Sequence, residues 1–183
     1  SRESILADVR NKYLKELNRE KIPEEYLPAL ELIKSWNLRA DSSNTAAALS
    51  ILTLPNAFRT EDLKFDADSI NIKLKESISF LEKNFGSIEV PLGRVNRLLR
   101  GNTSLPLSGG PGTLRAVYSK KSGKVYKAVA GDCYIQAVEW GPDGQLNAWS
   151  VHQYGSSTND KSSPHYDDQS KLFSKHEMKQ IRP

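Results

Sequence analysis

Near its end the chain carries the three residue types of a hydrolytic triad. Ser163, His165 and Asp167 are a nucleophile, a base and a carboxylate within one short stretch. A working triad brings its members together from separated segments, and alternate residues of an extended loop point away from one another. His165, Asp167 and Asp168 also combine nitrogen and oxygen ligands for a cation. We expect instead a loop held by hydrogen bonds from its polar side chains to the backbone.

The first residue, Ser1, has the type and position of an N-terminal nucleophile. In that mechanism the hydroxyl attacks an amide carbonyl and the chain's own α-amine takes the proton. The neighbouring sequence supplies no donors for an oxyanion and begins an amphipathic helix. Ser1 is therefore not predicted to be a nucleophile in this chain.

The only cysteine, Cys133, excludes an internal disulfide and a multi-cysteine metal site. Neither a histidine nor a basic residue stands beside it in sequence to activate the thiolate, so we expect an inert thiol. The three tryptophans, Trp36, Trp140 and Trp149, could line an acyl pocket. Their helical or alternating positions favour the core instead.

Three arginines, Arg94, Arg97 and Arg100, recur every three residues in a predicted helix, where they could grip a phosphate or carboxylate. A solvated helix face is the commoner arrangement. The chain has 26 Lys and Arg against 22 Asp and Glu, a net charge of +4 spread along its length. Such an even distribution argues against nucleic-acid binding.

The elements that position these residues change in type near Ser108. Before it, apolar residues recur at helical spacing, as in Ile5, Val9 and Tyr13. A helix is expected to start near Asp66 and to stop at Gly86, where glycine takes a left-handed cap. Residues 41–43 are expected to cap the helix that follows them. The pattern predicts five helices, at about 5–17, 30–36, 45–52, 66–85 and 91–101.

After the sequence GGPG at 109–112 the apolar period becomes two. Residues 114–118 and 125–129 predict one hairpin, and residues 134–140 and 146–154 predict a second around a glycine-rich turn. We expect the four strands to form one antiparallel sheet. The predicted class is α+β, with a mainly helical segment at 1–107 and an antiparallel β-sheet segment with a polar C-terminal tail at 108–183.

Composition places the chain among compact globular proteins. It has 183 residues, of which 38% are hydrophobic and 26% charged, enough for one substantial domain or two small ones. No apolar run approaches the roughly 18 residues of a membrane-spanning helix, and no basic start precedes an apolar core as in a signal peptide. Because the chain lacks an initiator Met, we expect residue 1 to be a processing or cloning boundary.

Three sequence blocks resemble the penicillin acylase family, in the same order as in the family. The most specific block combines GDCYIQAVEW at 131–140, HQYGSS at 152–157 and SSPHYDDQSKLF at 162–173. It is similar to the carboxyl end of the family's β-subunit, most closely in the aculeacin and acyl-homoserine lactone acylase branch, with Ser156 at a usual Gln position. Two weaker blocks lie at 32–42, with Asn37 where Asp is usual, and at 90–110, with Leu92 replacing Trp.

This resemblance implies the C-terminal part of an amidohydrolase with the αββα N-terminal-nucleophile fold. Such an enzyme cleaves the amide between an acyl chain and an amine, for example a β-lactam nucleus, a homoserine lactone or a lipopeptide. The family's nucleophilic serine and its His, Asn and Arg helpers lie upstream of the matched region. We therefore assign this chain no catalytic, cofactor-binding or metal-binding residue, and we expect the chain alone to be inactive.

The resemblance also implies partners and a location. The partners are the remainder of the acylase, namely the α-subunit and the first part of the β-subunit, and a small acyl-amide substrate. We expect neither nucleic acid nor a membrane span, and the family's export implies the periplasm or the cell exterior. In isolation, the sheet face or edge that the rest of the enzyme covers is expected to be exposed and masked by self-association.

The alternative is a free-standing α+β ligand-binding or interaction module, for instance a lipid or peptide carrier. It would use the tryptophans and the polar loop after Tyr154. The sequence upstream of Ser1 distinguishes the two hypotheses. An extension with a signal peptide, a spacer and an internal cleavage site supports the acylase, and an immediate start codon supports the module.

Overall fold

The computed structural model describes residues 3–17, 21–55 and 66–181, in which helices precede two β-sheets. The α+β class is therefore confirmed. A 3-10 turn at Glu24–Tyr26 leads into the second helix. The helices are α1 (Glu3–Glu16), α2 (Leu27–Ser35), α3 (Ala47–Thr53), α4 (Ala67–Phe85), α5 (Leu92–Val95) and α6 (Ser170–Lys175). The strands are β1 (Asn96–Arg100), β2 (Thr103–Pro106), β3 (Val117–Ser122), β4 (Val125–Gly131), β5 (Tyr134–Trp140), β6 (Leu146–His152) and β7 (Lys179–Gln180).

The helices α1 to α5 share one hydrophobic core. Val9 and Tyr13 of α1 lie one turn apart on the same helix face, and both are buried. They belong to the same cluster as Leu30 and Ile33 of α2, and Leu74 of α4 lies at its centre. The helical spacing in the sequence therefore identified the buried face correctly.

The longest helix, α4, begins and ends where the sequence predicted. The Asp66 carboxylate accepts hydrogen bonds from the Ser69 backbone N–H at 3.2 Å and from the Ser69 hydroxyl at 2.6 Å. Gly86 ends the helix with a φ of 77°, and its N–H donates to the carbonyl of Glu82 at 2.9 Å. A residue with a side chain is strained at that φ, so glycine gives this helix a definite end.

The capping of α3 differs from the prediction. The Asn44 side-chain oxygen accepts from the backbone N–H groups of Ala46 and Ala47 at 3.0 and 3.2 Å. Asn44 therefore supplies the acceptor expected from residues 41–43, because its amide oxygen reaches the first free donors of the helix. The helix ends at Thr53, two residues before Pro55, as the restriction on residues that precede proline requires.

The predicted helix at 91–101 is wrong beyond its first turn. The α5 helix covers only Leu92–Val95, and β1 follows immediately. Strand β1 pairs antiparallel with β2 and parallel with β4, and hydrogen bonds from two neighbours outweigh the weak local preference for helix. The first sheet therefore begins at Asn96, inside the segment 1–107 that was predicted to be mainly helical. The division of the chain into segments 1–107 and 108–183 stays a prediction.

Both predicted hairpins are present, but they do not form the single antiparallel sheet that we expected. One sheet has the order β2-β1-β4-β3, and the other has the order β5-β6-β7. The β3-β4 hairpin adds to the unpredicted β1-β2 hairpin, through a parallel contact between β1 and β4. Because β1 occupies the free side of β4, the β5-β6 hairpin pairs elsewhere.

A second hydrophobic cluster joins the two sheets to α6. Leu98 of β1, Val117 of β3 and Val151 of β6 are buried in it together with Phe173 of α6. The C-terminal tail is therefore anchored by an apolar side chain, and β7 adds to β6 through the pair Trp149 and Gln180. Within the described ranges, no helix has both the length and the apolar character needed to cross a membrane.

Candidate functional site

The three triad-type residues do not form a proton relay. The His165 Nδ1 lies 3.0 Å from a carboxylate oxygen of Asp168, whereas Asp167 accepts the hydroxyl hydrogen bond of Thr103. The Ser163 hydroxyl accepts from the backbone N–H of His165 at 3.2 Å. Since Ser163 meets the backbone and not the imidazole, His165 cannot take its proton in this arrangement.

The same segment is held as a structured loop by its own polar groups. The Asp160 carboxylate accepts from the backbone N–H of Ser162 at 2.9 Å and from its hydroxyl at 2.6 Å, which lowers the pKa of Asp160. The Ser157 N–H donates to the carbonyl of His165 at 3.0 Å. The expected network of hydrogen bonds is confirmed. Across residues 3–17, 21–55 and 66–181, no three His, Cys, Asp or Glu side chains gather as a metal site would require.

Arg100 ties this loop to the first sheet, which the sequence did not predict. Its guanidinium carbon lies 3.8 Å from the centroid of the Tyr166 ring and 4.7 Å from that of Tyr154. Its Nη2 donates to the carbonyls of Ser157 at 3.1 Å and Thr158 at 2.9 Å. Stacking and hydrogen bonding together use the planar guanidinium in a way that a lysine cannot reproduce.

The three arginines do not share one helix face, so that prediction is wrong. Arg94 is exposed on α5, above the Phe85 ring at 5.5 Å. Arg97 lies on β1 and donates to the carbonyls of Gly93 at 2.9 Å and Ser104 at 2.7 Å. Burial lowers the pKa of Arg97. Arg97 and Arg100 are therefore occupied by backbone carbonyls and do not form a joint anion site.

The loop returns to the sheet through a buried glutamine. The Gln169 side-chain oxygen accepts from the backbone N–H of His152 at 3.0 Å, and the Gln169 N–H donates to the carbonyl of Tyr154 at 2.7 Å. A Cβ at Gly155 would collide with the carbonyl of His165, so the two arms of the loop approach more closely there than a side chain allows. Residues 154–169, which we call the motif loop, therefore form a closely packed connection between β6 and α6.

The remaining candidate residues are dispersed. Ser1 lies outside the described residues. Cys133 is an exposed free thiol between β4 and β5. Trp36 is buried and its Nε1 donates to the carbonyl of Arg39 at 2.9 Å, which confirms its place in the core. Trp140 is 74% exposed, so the expectation of a core position is wrong for that residue, and Trp149 is half-buried.

A cavity of about 480 Å³ lies between the helices and the first sheet. Tyr13 and Ile70 line it from the helical side and Tyr126 from the sheet, and most of its walls are apolar. The hydroxyls of Tyr13 and Thr53, which also belong to lining residues, have no hydrogen-bond partner among the described residues. Burial raises the pKa of Tyr13, so its phenol stays neutral. The cavity has the size of a small-molecule site. Its lining residues Ser69 and Asp66 are hydrogen-bonded to each other at 2.6 Å, as the N-terminal cap of α4.

One face of β5 carries several exposed apolar side chains among the described residues, with the exposed Gln136 between them. Cross-strand partners share a face, and the pair Trp140 and Leu146 is 74% and 61% exposed. Tyr134 and Val138 alternate with the half-buried Ile135 and Ala137 on β5 and point to the same side as Trp140. The opposite face carries Ile135, which packs into the second hydrophobic cluster. We call Tyr134, Val138, Trp140 and Leu146 the outer face of β5-β6.

The described residues therefore show three features that bear on function: a structured loop at 154–169, exposed apolar side chains on β5 and β6, and a cavity between the helices and the first sheet. The family model "Penicillin amidase" matches residues 2–182, which is nearly the whole chain, and the chain therefore belongs to the penicillin amidase family. A comparison with curated proteins gives no match.

Membership of this family indicates an acylase-like amidohydrolase and makes the chain part of a larger acylase. The geometry above is consistent with such a part. The most specific sequence block, at 131–173, corresponds to β5, β6, the motif loop and the start of α6. Side chains of this block contact backbone groups and aromatic rings of this chain.

Proposed function

We propose that this chain is the C-terminal part of the β-subunit of an exported acylase. The acylase hydrolyses the amide between an acyl chain and an amine of the β-lactam, homoserine lactone or lipopeptide type. Within the family, the sequence blocks favour the aculeacin and acyl-homoserine lactone acylase branch. The observation that carries this proposal is the family match over residues 2–182.

The role proposed for the chain is mechanical. In N-terminal-nucleophile chemistry, a serine hydroxyl attacks the amide carbonyl, the amine leaves, and water then releases the acyl group. The serine and its helpers come from the part of the acylase upstream of this chain. Because catalytic groups must be held within a fraction of an ångström, they need a rigid layer beneath them. The β-hairpins would complete the central sheet of the αββα sandwich, and the helices would help to wall the acyl pocket.

The motif loop fits this role. Arg100 fixes the loop to β1 through two carbonyls and two aromatic rings, and Gln169 fixes its end to β6. A loop tied at both ends keeps its shape when a neighbouring layer packs against it. In this role the polar side chains of the loop would serve mainly to hold its shape.

The test compares the intact acylase with this chain alone. Three substrates are used: a long-chain acyl-homoserine lactone, a penicillin and an acylated peptide, and the free amine released is quantified. We expect release from at least one substrate by the intact acylase and none by the 183-residue chain. The matched control replaces the serine at the head of the β-subunit with alanine and should release no amine. Absence of hydrolysis of all three by the intact acylase would refute the proposal.

The cavity favours a second candidate, a free-standing ligand-binding module. Its volume of about 480 Å³ and its mostly apolar walls suit a small amphipathic molecule. Titration of the 183-residue chain with octanamide, followed by calorimetry, tests this alternative. Saturable one-to-one binding that Thr53→Val abolishes supports the module, and heat of dilution alone excludes it.

A further inference from the structure

The four sheet edges within the described ranges differ in how they are protected. Natural proteins protect an edge strand by keeping it short or by placing proline or lysine on it. Strand β2 has four residues and ends in Pro106, and β7 has only two residues. Strand β3 carries the exposed Lys120 and Lys121. Three of the four edges are therefore poor templates for a further strand.

The fourth edge, β5, has none of these protections. It spans seven residues, Tyr134–Trp140, and contains neither proline nor a basic residue. Its single charge is Glu139, and its register with β6 is regular along the whole strand. In the described ranges β5 pairs with β6 alone, so one row of its backbone N–H and C=O groups has no strand partner.

The outer face of β5-β6 lies beside this unpaired edge of β5. Trp140 is 74% exposed and Leu146, its cross-strand partner, is 61% exposed. No carboxylate lies on this face of β5, because Glu139 points to the opposite side. Exposed apolar side chains beside an unprotected strand edge mark an interaction surface, although the polar Gln136 lies among them. The chemistry that fits it is an apolar layer that also supplies backbone hydrogen bonds.

We propose that a β-strand from the remainder of the acylase pairs with the outer edge of β5 while the adjoining layer covers the outer face of β5-β6. This inference rests on the proposed function. Strand addition supplies main-chain hydrogen bonds for affinity, and the exposed Trp140 and Leu146 supply the apolar contact. The remainder of the same acylase is favoured over a second copy because membership of the family implies that this chain is part of a larger acylase.

Hydrogen–deuterium exchange tests the edge directly. The intact acylase is compared with the 183-residue chain, both under native conditions. We expect the β5 amides that point away from β6 to exchange at least about tenfold more slowly in the intact acylase, because hydrogen bonding suppresses local opening. Strand β4, which already has a strand partner on each side in the isolated chain, serves as the internal control and should exchange equally in both samples. Equal exchange of β5 in both samples overturns the proposal.

A pair of substitutions tests the face. Val138→Lys places an ammonium on the outer face of β5-β6, whereas Leu114→Lys changes a residue that is 87% exposed and lies outside both sheets. We expect Val138→Lys to lower the yield of assembled acylase by about tenfold or more, since the charge would be buried without a partner. Leu114→Lys should change that yield by no more than about twofold. Equal yields for the two variants contradict the proposal.

Two controls make each outcome decisive. Circular dichroism of the 183-residue Val138→Lys chain should match that of the parent, because Val138 is exposed there, so an assembly defect is separable from misfolding. Sedimentation across a concentration series reveals self-association. If β5 is protected only in a dimer of the isolated chain and not in the acylase, the edge belongs to a second copy and the proposal is refuted.

This proposal can fail independently of the proposed function. If the intact acylase hydrolyses a substrate while β5 exchanges freely, the proposed function stands and the strand pairing at β5 is refuted. If β5 is protected but no amine is released from any substrate, the strand pairing stands and the proposed function is refuted.

Discussion

The guanidinium carbon of Arg100 lies 3.8 Å from the centroid of the Tyr166 ring, although the two residues are 66 positions apart in sequence. The same guanidinium stacks against Tyr154 on the other arm of the motif loop and donates to the carbonyls of Ser157 and Thr158. One side chain of the first sheet therefore fixes the shape of the loop that follows the second sheet. The stability of this loop should depend on the planar group and not only on its charge.

Arg100→Lys is expected to loosen the motif loop although the positive charge is kept. The ammonium cannot stack on two rings and also reach two carbonyls, so we expect a loss of about 1–3 kcal/mol in the free energy of unfolding. Urea denaturation measures this loss, and hydrogen exchange should show faster exchange in residues 155–168. The matched Arg94→Lys, on an exposed residue of α5, should stay within about 0.5 kcal/mol. Equal effects of the two changes would contradict the role given to Arg100.

Thr53→Val is expected to leave stability unchanged or to raise it. The Thr53 hydroxyl is buried and has no partner among the described residues, so an isosteric methyl removes a desolvation cost of about 1–2 kcal/mol. Thermal unfolding of the variant and the parent measures the difference. A loss of more than about 1 kcal/mol would show that the hydroxyl has a partner in solution.

Asn96→Ala is expected to destabilise the first sheet, because Asn96 of β1 connects the segment after β2 with strand β3. The buried amide donates to the carbonyls of Leu107 and Gly109 at 3.5 and 3.4 Å and accepts from the hydroxyl of Ser119. Its removal leaves these groups without that partner and should cost about 2 kcal/mol in urea denaturation. Asn147→Ala, on β6 at a half-buried position, is the control and should cost less. A smaller loss at Asn96 than at Asn147 would refute this assignment.

His176→Asn is expected to flatten the pH dependence of stability below neutrality. Burial, and secondarily Arg115, lower the pKa of His176, and Asp41 opposes this only in part. The unfolded chain therefore takes up the proton first, near pH about 6.5, so the contribution of His176 is present above that pH and is lost as pH falls further. Asparagine tolerates the φ of 64° at this position. Urea midpoints from about pH 7.5 to about pH 5 measure the slope, and parallel curves for variant and parent would exclude this role.

The sequence predicted those elements whose signals are local. The ends of α4 were predictable because Asp66 and Gly86 act on backbone groups within one helical turn. The β3-β4 and β5-β6 hairpins were predictable because alternating residues flank a short turn. In each case the residues that determine the structure are close neighbours in sequence.

The elements that the sequence did not predict depend on distant partners. Residues 96–100 form a strand because β2 and β4 pair with it, and Asn96 pairs in parallel with Tyr126, 30 positions later along the chain. The exposure of Trp140 was also not predicted, because alternation gives the face on which a side chain lies but not what packs against that face. Arg100 was assigned to a helix face because the rings that hold it follow more than 50 positions later.

The central claim is that residues outside this chain supply the chemistry, and one labelling measurement tests it most directly. The intact acylase is treated with a long-chain alkyl fluorophosphonate, which transfers phosphorus to an activated serine with loss of fluoride, and the adduct is located by peptide mass spectrometry. We predict a single adduct on a serine outside residues 1–183, with complete loss of amide hydrolysis. An inactivating adduct on any serine of this chain, Ser1 and Ser163 included, would contradict the account.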